Sequence, residues 1–266
     1  MKNTKQFGSG STALITGASS GIGYEFAKVF ARNGHNLVLV ARDRQRLDQL
    51  AHELRETSGV TVRVIVKDLS IATSAQEIFD ELRRESVALD ILVNNAGLIV
   101  YGNFYETDWA KELHMIQVNL VSLTHLTKLF VRDMVARGYG RILNIGSTGS
   151  FVPSPLNGVY SATKAYVLSF SEAIAEELEG TGVTVTALCP GATRTELQKR
   201  AHMDDVRLLQ RGVMDAETVA QIGYRALMAG RRVAVPGLYN QLRILLTRFL
   251  PRTTMAKAAK AMLQRT

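Results

Sequence analysis

A short apolar run, Thr12-Ala13-Leu14-Ile15-Thr16, opens onto Gly17-Ala18-Ser19-Ser20-Gly21-Ile22-Gly23, and a helical pattern begins at Tyr24. No other stretch restricts the fold as strongly. A glycine turn between a strand and a helix leaves backbone N–H groups and the positive end of the helix dipole facing outward, which is a phosphate site. The spacing is G-x3-G-x-G rather than the commoner G-x-G-x-x-G. Glycine turns also occur without ligands, so the reading depends on the rest of the chain.

Beyond the turn, strand-like and helix-like stretches alternate. Asn36 to Ala41 (NLVLVA) is a continuous apolar run, as a strand buried on both faces requires. Thr61 to Val66, Leu89 to Val93, Arg141 to Ile145 and Val183 to Leu188 read as further strands, and Val233-Ala234-Val235 before Pro236-Gly237 as a short seventh. Between them, residues 43–57, 71–86, 107–135, 160–179 and 215–229 carry helical patterns. Strands separated by helices predict an α/β fold with one doubly wound, mainly parallel sheet and no internal linker or repeat. With 266 residues, 46% of them hydrophobic, the chain can bury a sizeable core.

Ligands of open parallel sheets bind outside the carboxyl ends of the strands, so the residues there are the candidates. The second strand ends Ala41-Arg42-Asp43, without a carboxylate to hold a ribose 2′-hydroxyl. Arg42 can neutralise a 2′-phosphate instead, with Arg44 or Arg46 nearby. Asp68-Leu69 follows the third strand, where Asp68 either touches a base edge or caps a helix beginning near Ile71. Asn94-Asn95-Ala96-Gly97 follows the fourth, small and polar where a bulky residue would obstruct a ligand. Gly146-Ser147 ends the fifth, and Cys189-Pro190-Gly191-Ala192-Thr193-Arg194-Thr195 follows the sixth. Cys189 reads as a small packed hydrophobe. Asn119 interrupts the 107–135 helix with a poor helix former; either its side chain or a backbone carbonyl it loosens holds a water, or it is a tolerated interior Asn. Tyr160 and Lys164 sit at i and i+4, so their side chains meet on one helix face.

Composition narrows the setting. The single cysteine excludes an intramolecular disulfide framework, and the five isolated histidines have no metal-ligand spacing, so no metal is expected. The polar first ten residues lack the apolar run of a secretory signal, and no run approaches the roughly 20 residues of a membrane span, which makes cytoplasmic residence the expectation. The net charge of +8 is uneven: residues 1–217 carry −1, whereas residues 218–266 hold nine Lys/Arg and no acid. With one Trp and no recognised module, nucleic acid is not an expected partner.

Together these residues resemble the classical short-chain dehydrogenase/reductase family, over about Ser11 to Pro236. The match includes the TGxxxGxG turn as Thr16 to Gly23, the NNAG segment as Asn94 to Gly97, the helix asparagine as Asn119, and the serine as Ser147, 13 residues before Tyr160. YxxxK matches Tyr160 to Lys164, and PGxxxT matches Pro190-Gly191 through Thr195. The resemblance implies a Rossmann-type sheet of about seven strands with helices on both faces, a catalytic domain over residues 11–237, an extension over 238–266, and a homodimer or homotetramer. It implies an oxidoreductase transferring hydride to a ketone or aldehyde, in which Tyr160 gives the proton and Ser147 holds the oxygen. Lys164 lowers the tyrosine pKa and binds the nicotinamide ribose, and Asn119 tethers a water linking that lysine to solvent. The cofactor would lie against Gly17, Ser19, Ser20, Gly21, Ile22, Gly23, Arg42, Asp68, Leu69, Asn95, Ala96, Gly97, Tyr160, Lys164, Pro190, Gly191, Thr193 and Thr195. A basic residue at Arg42 implies NADP(H), although the other basic position sometimes used is Ser20 here. The alternative is a nucleotide-binding scaffold without turnover, whose mark, a broken Ser/Tyr/Lys set, is missing.

Substrate contacts are expected from Val152 to Val159 and from about residues 194–214. The second segment sets Arg194, Lys199, Arg200, Arg207 and Arg211 against Glu196, Asp204 and Asp205, which suits either an acidic acyl carrier or a solvated lid. In the tail, Leu238, Tyr239, Leu242, Leu245, Leu246, Phe249 and Leu250 fall on one side of a helix, with Asn240, Gln241, Arg243, Thr247 and Arg248 on the other. Ile244 breaks the pattern and Pro251 ends or kinks the helix. The apolar face fits an anionic membrane surface, the domain itself or a second subunit. The extension resembles that of bacterial reductases related to steroid and long-chain ketoacyl reductases, which implies an apolar carbonyl substrate.

Overall fold

The Thr12–Thr16 run forms β1 and feeds α1 (Gly21–Arg32), followed by β2 (Asn36–Ala41), α2 (Arg44–Ser58), β3 (Val62–Val66), α3 (Ser74–Arg84) and β4 (Ile91–Asn94). The second half adds α4 (Trp109–Ile116), α5 (Leu123–Arg137), β5 (Gly140–Ile145), α6 (Gly158–Glu177), β6 (Val183–Leu188), α7 (Glu196–Arg200), α8 (Ala216–Met228), β7 (Val233–Ala234), α9 (Leu238–Leu246) and α10 (Arg252–Leu263). This computed structural model describes residues 10–203, 205–210 and 212–265; the polar residues 1–9, the lid residues Asp204 and Arg211, and Thr266 lie outside them.

The seven strands form one parallel sheet in the order β3-β2-β1-β4-β5-β6-β7. It is the Rossmann-type, doubly wound arrangement: after β3 the chain crosses back over β1 to place β4 on the other side. Leu37, Val38, Leu39 and Val40 of β2 are buried because apolar layers cover both faces of the sheet. Phe26 and Phe30 of α1, Leu47 and Leu50 of α2, and Val219 and Leu227 of α8 cover one face. Ile78 and Leu82 of α3 with Leu126, Phe130 and Met134 of α5 cover the other. Register then sets function. Thr16 lies opposite Val40, and Asn94 opposite Asn144, so the carboxyl ends of the central strands open along one edge.

Local caps explain most boundaries. Asp43 accepts from the Arg46 N–H at 3.0 Å to start α2, and Asp215 does the same for Thr218 at the start of α8. Three expected helices differ. The 107–135 helix is broken into α4 and α5 by a π-helical turn at Gln117–Ser122, centred on Asn119. The helix expected near Ile71 begins at Ser74, because Asp68 caps a turn instead, accepting from the Ser70 N–H at 2.9 Å while its carbonyl receives the Ser74 hydroxyl at 2.7 Å. The tail is two helices, α9 and α10, separated at Pro251.

Candidate active site

Construction of the site starts at the glycine turn. Gly17 has φ +67°, and a Cβ there would sit 2.9 Å from Ala96 Cα. Gly23 has no such conformational need; a Cβ on it would lie 2.3 Å from the Gly17 carbonyl oxygen. The first glycine makes the turn and the last lets α1 pack against it. Thr16 straps the neighbouring strand end to the turn: its hydroxyl accepts from the N–H groups of Asn95 and Ala96, each at 3.0 Å. The Asn95 amide nitrogen closes the strap on the Thr16 carbonyl at 2.9 Å. Ser20, the N-cap of α1, makes no side-chain cap bond and no acid occupies the first turn, which leaves the helix terminus free to receive an anion.

Above this turn runs a cleft of about 600 Å³ along the carboxyl edge of the sheet. The structure brings to it Gly17, Ser19, Ser20, Gly21, Ile22, Arg42, Asp68, Leu69, Asn95, Ala96, Gly97, Ser147, Tyr160, Lys164, Pro190, Gly191, Thr193 and Thr195. Gly23 and Asn119 are not on its wall. Gly23 lies beneath the turn, and Asn119 stands behind Gly97, where a glycine Cβ would lie 3.5 Å from both Asn119 Oδ1 and Lys164 Nζ. Sequence reasoning missed Lys67, which also lines the cleft, whereas Leu197, Gln198 and Arg200 of α7 on its wall fall within the 194–214 segment expected to meet substrate. Thr195 accepts from the Leu197 N–H as N-cap and so folds α7 back over the opening.

Tyr160 and Lys164 share one face of α6. Lys164 is 4% exposed, and its ammonium donates to the Ile145 carbonyl at 2.8 Å and lies 5.8 Å from the Tyr160 ring centroid. Ser147 opens a 3-10 turn at the end of β5 and accepts from the Gly149 N–H at 3.0 Å, and its hydroxyl neighbours the Tyr160 phenol. Burial dominates the protonation of this group. It pushes the Tyr160 pKa up to about 12, against the opposing Ser147 hydrogen bond, and pulls Lys164 down to about 8. The expected depression of the tyrosine by lysine is therefore absent: desolvation outweighs an ammonium that faces a carbonyl first.

Asn119 is a positioning residue in this geometry. Its Oδ1 accepts from the Leu98 N–H at 2.8 Å, and its amide nitrogen donates to the Leu98 carbonyl and the Thr163 hydroxyl, each at 3.0 Å. The side chain is thus engaged by protein through both its oxygen and its nitrogen.

At the far end, Arg42 lies 3.7 Å from Asp68 across the strand ends. Burial works to raise the Asp68 carboxyl, but the Ser70 hydrogen bonds and the Arg42 charge outweigh it and hold the group below its usual value. Arg46 is not available to help Arg42: it pairs with Glu196 of α7 at 2.8 Å, and neither it nor Arg44 lines the cleft. Cys189 is fully buried against Leu168 and Ala187, as a small packed hydrophobe would be, and burial pushes its thiol up to about 12.

The profile of the family described as short chain dehydrogenase matches residues 11–205, which contain the turn, the strand ends and the Ser/Tyr/Lys group. The chain belongs to the short-chain dehydrogenase family. Among curated relatives, the very-long-chain 3-oxoacyl-CoA reductase of Anas platyrhynchos is 35% identical over 198 residues, 72% of this chain and 62% of that protein. The chain thus spans under two thirds of that relative's length. The 7beta-hydroxysteroid dehydrogenase of Collinsella aerofaciens is 36% identical over 70% of each chain. A solved short-chain dehydrogenase from Sphingobium yanoikuyae, in complex with NADPH, superimposes with a TM-score of 0.81 at 36% identity, covering 91% of this chain and 96% of that one. These relatives carry the names of a ketoacyl-CoA reductase and a hydroxysteroid dehydrogenase, and the solved neighbour holds NADPH.

Proposed function

We propose that this short-chain dehydrogenase is an NADPH-dependent reductase of apolar ketones or aldehydes, with its chemistry on residues 11–237. The observation that carries the reading is the convergence of Ser147, Tyr160 and Lys164 on one cleft that also holds the uncapped α1 terminus and Arg42. The residues fit a dinucleotide: a glycine turn that a Cβ would fill, a helix terminus without a capping side chain, and a cation over the β2 end. The bound nicotinamide supplies the hydride.

The protein's own groups handle the oxygen and the proton. A carbonyl oxygen gains negative charge as hydride arrives at carbon, and Ser147 and Tyr160 are the hydroxyl donors in reach of one point. With its pKa at about 12, Tyr160 is fully protonated at neutral pH and so stands ready as a proton donor. The phenolate left behind forms beside the Lys164 ammonium, still largely protonated at pH 7 with a pKa of about 8. These states favour reduction. Ketone reduction is expected to hold level to about pH 8 and fall above it as Lys164 loses its proton. Alcohol oxidation, which needs the phenolate, should rise with pH instead. Profiles of kcat/KM in both directions check this, and parallel profiles would contradict it.

An apolar substrate is supported by the names of the relatives, a very-long-chain 3-oxoacyl-CoA reductase and a hydroxysteroid dehydrogenase. Both described acids of the 194–214 segment are spent within the protein: Glu196 pairs with Arg46 and Arg200, and Asp205 with Arg265.

NADP preference rests on Arg42. Its side chain is 58% exposed, and its only ion pair among the described residues is the long one to Asp68, so a 2′-phosphate can take it. Replacing Arg42 with Ala is expected to raise the NADPH KM by about 10- to 100-fold, the scale of one hydrogen bond to a charged group, with NADH use little changed. Steady-state kinetics with both cofactors test it; an unchanged NADPH/NADH ratio overturns the assignment.

A further inference from the structure

The C-terminal helix α9 is mounted with its polar side inward. At about 100° per residue, the half-buried or buried positions Asn240, Arg243, Ile244 and Thr247 form the side that meets the domain. Asn240 is 9% exposed, donates to the Pro236 carbonyl at 2.8 Å, and packs so closely under Gly191 that a Cβ there would lie 2.6 Å from its amide nitrogen. Arg243 lies 3.1 Å from the Met262 sulfur of α10 and stacks over the Tyr239 ring at 5.5 Å. The apolar side is turned away. Leu238 and Phe249 are 83% and 77% exposed, and Tyr239, Leu242, Leu245, Leu246 and Leu250 are exposed with them. An amphipathic helix on a domain buries its apolar stripe. Here polar contacts hold the helix in the opposite orientation, which leaves a contiguous apolar face without a partner in the described chain.

Charge selects what covers that face. Arg248 borders the stripe on one side and Arg243 on the other, and Arg252, Lys257 and Lys260 follow in α10. Among the described residues, Arg248, Arg252, Lys257 and Lys260 make no ion pair, and the chain holds no Asp or Glu after Glu217. We propose that α9 and the start of α10 form a docking surface for an anionic lipid bilayer, with the stripe Leu238, Leu242, Leu245 and Phe249 entering the acyl boundary and the flanking cations meeting the headgroups. A second copy fits this face poorly, since pairing two stripes brings two sets of arginines together with no local acid to neutralise them. The contact is peripheral, because no helix among the described residues is long and apolar enough to cross a membrane.

The surface also connects to the catalytic cleft. Asn240 touches the Gly191 turn on the cleft wall, and α10 is tied to the lid by Leu263 against Met203 and Val206, by Arg265 to Asp205 at 3.1 Å, and by the Arg207 N–H to the Gln264 carbonyl at 3.2 Å. A bilayer bound there sits against the helices that border the cleft, which suits a substrate drawn from lipid.

The test is flotation of the full chain with phosphatidylcholine vesicles, with and without phosphatidylglycerol. The protein is expected to float with the anionic vesicles, to lose the association in high salt, and to float little with phosphatidylcholine alone. The double variant Leu242→Glu and Phe249→Glu should lower the bound fraction by about tenfold or more, since each carboxylate opposes both terms of interfacial binding. Both positions are exposed, so unchanged thermal melting and dinucleotide binding establish that the variant is folded. Absence of flotation on anionic vesicles, or flotation unaffected by the double variant, overturns the proposal. So does a concentration-dependent dimer that the variant splits without any vesicle binding, which assigns the face to a second copy. None of these readouts depends on turnover.

Discussion

Replacing Tyr160 with Phe is expected to lower kcat for ketone reduction by about 10²- to 10⁴-fold, the range of a single positioned general acid. The substitution keeps the ring, and with it the packing over Lys164, and removes only the proton and one oxygen donor. Ser147 alone then faces the developing oxyanion. Dinucleotide binding should survive, because the glycine turn, the α1 terminus and Arg42 lie at the other end of the cleft and share no hydrogen bond with the phenol. Fluorescence titration with NADPH and single-turnover reduction separate the two readouts. Turnover near that of the unaltered protein would remove Tyr160 as the acid, and loss of binding together with rate would show that the substitution had damaged the cleft.

The sequence exposed the skeleton of this site because parallel sheets concentrate ligand residues at strand ends. With β2 buried on both faces, Arg42, Asp68, Asn95, Ser147 and Gly191 are collected by topology alone. The residues that stayed hidden depend on contacts between distant segments. Helical periodicity groups Leu238, Leu242 and Phe249 on one side of α9, but it says nothing about which side meets the domain; that is decided by Asn240 beneath Gly191. Arg46 has the spacing of a second phosphate ligand, but α7 brings Glu196 to it from 150 residues away. The protonation of Tyr160 and Lys164 departs from expectation for the same reason. A helix face shows that two side chains meet, whereas the pKa depends on how much water the whole fold removes from around them.

Asn119→Ala is expected to cost about 2–4 kcal/mol of stability, since it leaves buried donors and acceptors without partners. The side chain occupies the π turn and is 1% exposed. Its three hydrogen bonds satisfy both backbone groups of Leu98 and the Thr163 hydroxyl, which also donates to the Tyr160 carbonyl at 2.7 Å. Removing it frees the Ala96–Leu98 strand end from α6 next to the Lys164 ammonium. The catalytic effect should therefore appear as a lower kcat with a smaller change in dinucleotide affinity, because the phosphate turn is strapped separately through Thr16 and Asn95. Asn119→Asp discriminates further. It retains the acceptor for the Leu98 N–H but sets an oxygen against the Leu98 carbonyl, so it should be nearly as destabilising as Asn119→Ala at neutral pH. Urea melts of both variants measure this. A loss of kcat with stability unchanged in both would mean that the asparagine acts on the proton path and not by fastening α6 to the strand end.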